Sequence, residues 1–102
     1  MANLWNETIS IMEENDRTLE DIEWIGSLDG LWQIELEVFE RQARDYNYDN
    51  GYGSVKVPED LTVVFSDGSW LERAEYDGAE WWEFKHTPAL NPDAYKLVYI
   101  AR

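Results

Sequence analysis

Two periodicities divide the chain. Up to about residue 46, apolar residues recur at helical spacing: Trp5, Ile9 and Met12 fall on one stripe, and Leu36, Phe39, Ala43 and Tyr46 on another. These stripes read as core faces. Asn3 stands where a helix cap is needed, and Asn15 with Asp16 marks the end of the first helix. Next, "TLEDIEWIG" places Thr18 three residues before Asp21, the spacing of a capping box. It predicts a single turn that runs into a short strand containing Ile22, Trp24 and Ile25. "LDG" then turns the chain, and "LWQI" predicts a strand ahead of the second helix.

Beyond residue 54 the pattern becomes extended. "LTVVF", "SWLERAEY", "EWWEFKH" and "YKLVYIA" are rich in β-branched and aromatic residues, and Asp67-Gly68 and Asp77-Gly78 separate the first three. Asp-Gly tolerates the positive φ of tight hairpin turns. Pro88 and Pro92 delimit a loop before the last segment. The expected fold is a single α+β domain over residues 1–102, two N-terminal helices packed on a mainly antiparallel β-meander of three to five strands.

Register in the second hairpin is a choice between two turns. A two-residue loop, Asp77-Gly78, sets Glu72 opposite Glu83 and Glu75 opposite Glu80, which places like charges together. A three-residue loop including Ala79 sets Arg73 opposite Glu83 and Ala74 opposite Trp82 instead, and is the expected one. It buries Trp70, Ala74, Tyr76, Trp82 and Phe84, with Glu72 near the edge. It leaves Leu71, Arg73, Glu75, Trp81, Glu83 and Lys85 outside, with Trp81 an exposed aromatic of the kind that anchors interfaces.

Charge changes the picture of function. The 102 residues carry 22 Asp and Glu against eight Lys and Arg, a net charge of −14, with the aromatic content of a folded domain. Such a surface disfavours nucleic acid phosphates and anionic lipid and makes a basic protein its natural partner; the alternative expectation is that the acidity serves only to keep a small, abundant protein soluble. The eight cations are scattered, without the patch that direct nucleic-acid binding requires. There is no cysteine, which removes thiolate catalysis and disulfides and leans towards a reducing compartment. No apolar run is long enough for a membrane span and no secretory signal is evident, so a cytoplasmic protein is expected.

Specific chemistry is thinly supported. In "DYNYDNGYG", Asp45, Asn47 and Asp49 alternate like the start of a calcium loop, but the sixth position is Asn50 and the twelfth Lys56, where glycine and a bidentate glutamate belong. The segment reads instead as a helix end and turn, with Asn50 and Gly51 supplying unusual backbone angles and Tyr46, Tyr48 or Tyr52 packing beneath. His86, the single histidine, has no serine or cysteine placed as a nucleophile. Carboxylate pairs at glycosidase separations are expected by chance among so many acids. No phosphate loop, nucleotide fingerprint or metal motif appears, so neither a catalytic residue nor a cofactor is expected.

What remains is an array of carboxylates able to imitate a run of phosphates. The candidate belt is Asp45, Asp49, Glu59, Asp60, Glu72, Glu75, Asp77, Glu80 and Glu83, with Trp81 as its aromatic anchor, and Glu13 and Glu14 of the first helix compete for the role. The strings "NYDNGYG", "EDLTVVF" and "WLERAEYDGAEWWEFK", with the earlier "TLEDIEWIG", resemble a family of small, largely uncharacterised proteins of bacteriophages and prophages of Gram-positive bacteria. The ending "ALNPDAYKLVYIAR" departs from that pattern. The resemblance carries no catalytic residues, but a phage origin implies an inhibitor of host defence, such as an anti-CRISPR protein occupying the DNA channel or PAM-reading site of a Cas9-guide RNA complex. The alternative expectation is a phage accessory protein that binds a replication or host factor through an aromatic interface, without DNA mimicry.

Overall fold

The computed structural model describes residues 1–100. Strand β1 (Ala2–Asn3) leads directly into helix α1 (Leu4–Glu14), whose first turn is closed by the Asn3 side chain accepting from the Asn6 N–H at 3.0 Å. The helix ends at Asn15, and Asp16 follows in the left-handed region at φ 57°. A one-turn 3-10 helix, Leu19–Asp21, carries the capping box expected from Thr18 and Asp21, with the Asp21 carboxylate accepting from the Thr18 N–H at 2.8 Å. It delivers the chain into β2 (Ile22–Ser27). A tight turn brings back β3, shorter than expected at Gln33–Ile34, and α2 (Leu36–Arg44) and β4 (Asn47–Tyr48) follow.

The remaining strands are β5 (Leu61–Phe65), β6 (Trp70–Tyr76) and β7 (Ala79–Lys85). They join β2 and β3 in an antiparallel five-stranded sheet of order β3-β2-β5-β6-β7, while β1 and β4 form a separate antiparallel pair. The fold is α+β, with both helices on one face of the sheet. Leu4, Trp5 and Met12 of α1 and Phe39 and Ala43 of α2 are buried with Ile25, Val63, Phe65, Leu71 and Trp82 of the sheet. No helix among the described residues is long and apolar enough to cross a membrane.

The second hairpin corrects the expected register. Its loop is the two-residue one, with Asp77 at φ 52° and Gly78 at φ 89°, the paired left-handed geometry whose twist matches the flanking strands. Glu72 therefore lies opposite Glu83, Arg73 opposite Trp82, Ala74 opposite Trp81 and Glu75 opposite Glu80. The one-residue difference turns β6 over. Leu71 and Arg73 point to the helices, while Trp70, Glu72, Ala74 and Tyr76 face away from them. The like-charge objection fails because three of the four glutamates find their own donors and Glu75 stays in water. Glu72 accepts from the Trp70 indole at 3.2 Å, Glu83 lies 3.7 Å from the Lys85 ammonium, and Glu80 turns inward to Arg73.

Two further expectations are corrected. Residues 95–100 of "YKLVYIA" form no strand, and residue 101 lies outside the described residues. In the 45–53 turn the positive φ belongs to Gly53, not to Asn50 or Gly51. Of its tyrosines, Tyr48 is buried, Tyr46 is partly exposed and Tyr52 is exposed.

Candidate protein-binding surface

The face of the sheet away from the helices carries no helix, although Gly26 and Thr62 are buried beneath their neighbours on it, and the pairing register fixes which side chains share it. One row across the strands reads Trp24, Val64, Trp70, Lys85, and the next reads Gly26, Thr62, Glu72, Glu83. Trp81 stands one row further on, opposite Ala74, and is 37% exposed. Gly26 is required here, because a Cβ would lie 2.1 Å from the Trp32 carbonyl oxygen and 3.0 Å from the Trp24 ring. The Trp24 indole thus lies close over the strand backbone. Between Trp24 and Trp70 on one side and Trp81 on the other, Glu72 and Glu83 stand opposite one another across β6 and β7. This arrangement can accept a guanidinium or ammonium between two carboxylates, with indole surface to cover its stem.

Most of the rest of the belt gathers at one end of the sheet. The β6-β7 turn with Glu75 and Asp77, the start of β5 with Glu59 and Asp60, and the β2-β3 turn with Asp29 lie at the same end, since the strands are antiparallel and in register. The turn tip also meets the 49–57 loop: a Cβ on Gly78 would stand 3.1 Å from the Gly53 carbonyl oxygen. Glu59, Asp60, Glu75, Asp77 and Asp49 are all exposed. The Asp29 carboxyl titrates below the ordinary aspartate value, held there first by the Ser27 hydroxyl and then by the Leu31 N–H. Asp45 is exposed but sits apart, at the end of α2.

Glu80 is a different residue from its neighbours. Its side chain is 2% exposed, and its carboxylate accepts from the backbone N–H of Lys56 at 2.7 Å and of Val57 at 3.1 Å, and from Arg73 Nη2 at 3.1 Å. Glu80 is therefore no surface bait. It is the post to which the 50–57 loop is tied, and its own N–H donates to the Asn50 carbonyl at 2.7 Å. Arg73 also donates to the Tyr48 hydroxyl at 3.1 Å and lies over the Trp82 ring, 4.8 Å from its centroid. Tyr48 donates to Glu7 of α1, and burial followed by that hydrogen bond pushes the phenol pKa up to about 12. The Trp82 indole donates to Thr8 at 2.9 Å, closing the connection to α1.

This buried network was not foreseen from the sequence, where Arg73 and Glu80 are two charged residues in a strongly charged hairpin. The signal that could have found it is the Asp77-Gly78 turn: taken at face value it puts Arg73 beside Trp82 on the inner face, and a buried arginine demands a carboxylate.

The calcium-like spacing is used otherwise. Asp49 accepts from the Gly51 N–H at 3.0 Å, and the Asn47 side-chain oxygen accepts from Asn3 at 3.0 Å. Among the described residues no group of three or more His, Cys, Asp or Glu side chains is placed to hold a metal ion. His86 is exposed and contacts only the Phe84 ring and the Thr87 carbonyl. Compared with known proteins, the chain matches no family model, no curated protein and no solved structure.

Proposed function

We propose that this protein is a non-enzymatic binder of a basic nucleic-acid-processing protein, presenting carboxylates and tryptophans where that partner holds polynucleotide. The observation that carries this reading is the pairing of Glu72 with Glu83 on the open face, flanked by Trp24, Trp70 and Trp81. Two carboxylates at adjacent strands offer a spaced negative charge on a rigid sheet, which fits a pocket built for successive phosphates. The acidic end with Glu59, Glu75 and Asp77 extends the same field and would steer a cationic partner inward. With the resemblance to small phage proteins, the most concrete target is a Cas9-guide RNA complex, whose arginine-lined PAM site is open before DNA binds.

The test is competition. Binding of the protein to a purified Cas9-guide RNA complex is measured with and without a PAM-containing duplex, across a salt series. The expected result is mutual exclusion with the duplex, affinity that falls steeply with salt, and at least about tenfold weaker binding for Glu72→Gln with Glu83→Gln, a loss of ~1.4 kcal/mol. Simultaneous binding of duplex and protein, or full affinity in the neutralised variant, overturns the mimicry. The exposure of Trp81 supports a second reading, an aromatic interface with a replication or host factor. It is distinguished by a Trp81→Ala variant that abolishes binding while the two glutamine substitutions leave it unchanged.

A further inference from the structure

Beyond Lys85 the chain leaves the body as an arm. Residues 86–100 are exposed throughout, including Leu90, Tyr95, Leu97, Val98, Tyr99 and Ile100. The radius of gyration is 16.3 Å, against about 13 Å for a compact chain of this length. Tyr95–Ile100 is nevertheless a strand sequence, aromatic and β-branched, and it carries Lys96 and no carboxylate in a chain of net charge −14. An apolar, strand-forming segment held in water is an unmatched half of a sheet pair.

A matching edge exists on β7. The β6-β7 register directs the backbone groups of Ala79, Trp81, Glu83 and Lys85 to β6, and those of Glu80, Trp82 and Phe84 outward. The Glu80 N–H is taken by Asn50, whereas the backbone groups of Trp82 and Phe84 have no partner among the described residues. Beside this edge runs a groove of about 430 Å³ between α1 and β7, lined by Ile11, Glu7, Glu14, Trp81 and Trp82 among others. Its apolar and acidic lining complements an apolar strand bearing one lysine.

The arm of the same chain is out of register for that edge. The Ala94 N–H donates to the Asn91 carbonyl at 2.9 Å and the Asp93 N–H to the Asn91 side chain at 2.7 Å, which fixes a turn at Asn91–Ala94. A reversal there sets Tyr95 against Leu90 and Ile100 against Lys85, so Tyr95–Ile100 falls short of Trp82 and Phe84. A second copy has no such constraint. We infer that the Tyr95–Ile100 arm of one copy adds as a strand to the free β7 edge of another, reciprocally, giving a two-fold dimer held by exchanged arms. This stands independently of the function proposed above.

The experiment measures molar mass by sedimentation equilibrium over a concentration series, for the whole chain and for Val98→Pro, with amide exchange followed at Trp82 and Phe84. Val98 is 91% exposed and lies in no helix or strand, so the domain stays folded, and the substitution removes a strand N–H. The expected result is a dimer with slowed exchange at both amides. Val98→Pro then dissociates at concentrations at least about tenfold higher and exchanges as a free edge. A chain that stays monomeric at every concentration overturns the proposal. So does a dimer that survives Val98→Pro unchanged, and so does protection of the two amides that is independent of concentration, which is the signature of pairing within one chain.

Discussion

The two faces of the sheet carry the same residue types and put them to opposite uses. On the covered face, Glu80 and Arg73 are 2% and 3% exposed and form an ion pair reinforced by backbone donors and the Tyr48 hydroxyl. On the open face, Glu72 and Glu83 stand opposite one another, half in water, each with a single weak local partner. Glu80 and Glu83 are three positions apart in one strand, so neither composition nor local charge density separates them. What separates them is the direction the pleat gives each side chain and what waits there. A buried carboxylate left without its partners costs several kcal/mol, whereas an exposed one leaves its charge free for a partner.

The contrast can be broken most forcefully at Glu80. Glu80→Gln keeps the shape but leaves the Arg73 guanidinium buried without its counter-charge, and should cost about 3–5 kcal/mol in urea unfolding. A loss below that of a surface substitution would show that the covered face is wetter than its burial indicates. Next in size is alkaline pH. The Tyr48 phenol is neutral in the folded state up to about pH 12 but ionises near 10 when unfolded. Its contribution is therefore complete below pH 10 and lost as pH rises towards 12. The fall amounts to about 2–3 kcal/mol, and it should vanish in Tyr48→Phe, whatever that variant's own stability.

Thr8→Val keeps the shape but removes the hydroxyl that accepts from the Trp82 indole at 2.9 Å and donates to the Leu4 carbonyl at 2.7 Å, leaving a buried indole N–H without a partner. A loss of about 1–2 kcal/mol is expected by chemical denaturation. Smallest is the open face, where Glu72→Gln relieves the like charge across the strands. It should leave stability unchanged or raise it by about 0.2–1 kcal/mol at low salt, an increment that shrinks as salt is added. A clear destabilisation there would mean that the pair is structural, and the distinction between the faces would disappear.

Much of the fold was legible because its signals are local. Asn3, the Thr18/Asp21 pair and the two Asp-Gly turns act within four residues of themselves, and each performs the role its type and spacing imply. The helical stripes were equally direct, since Trp5, Met12, Phe39 and Ala43 need only a common apolar side. The hairpin register differs from the expected one for a physical reason. Opposing glutamates repel as isolated charges, but the Trp70 indole takes Glu72, Lys85 takes Glu83, and the Lys56 and Val57 amides take Glu80. Of the candidate belt, Asp49, Glu59, Asp60, Glu75 and Asp77 lie at the exposed end, Glu72, Glu83 and Trp81 on the open face, and Asp45 apart. Glu80 lies inside. The last extended segment has β-branched and aromatic residues but forms no strand over residues 95–100, because propensity does not supply a neighbour.

The sequence by itself determined the ends of the first helix, the places of the hairpin turns, the α+β class and the strongly acidic character, all of which depend on residues close along the chain or on a simple count. Only the tertiary structure decided which glutamate is a buried post and which a free charge, and which side of β6 meets the helices. The reason is that a strand has two equivalent faces. A one-residue slip exchanges them, and the choice is made by backbone donors of the 50–57 loop and a hydroxyl acceptor on α1, all distant in sequence.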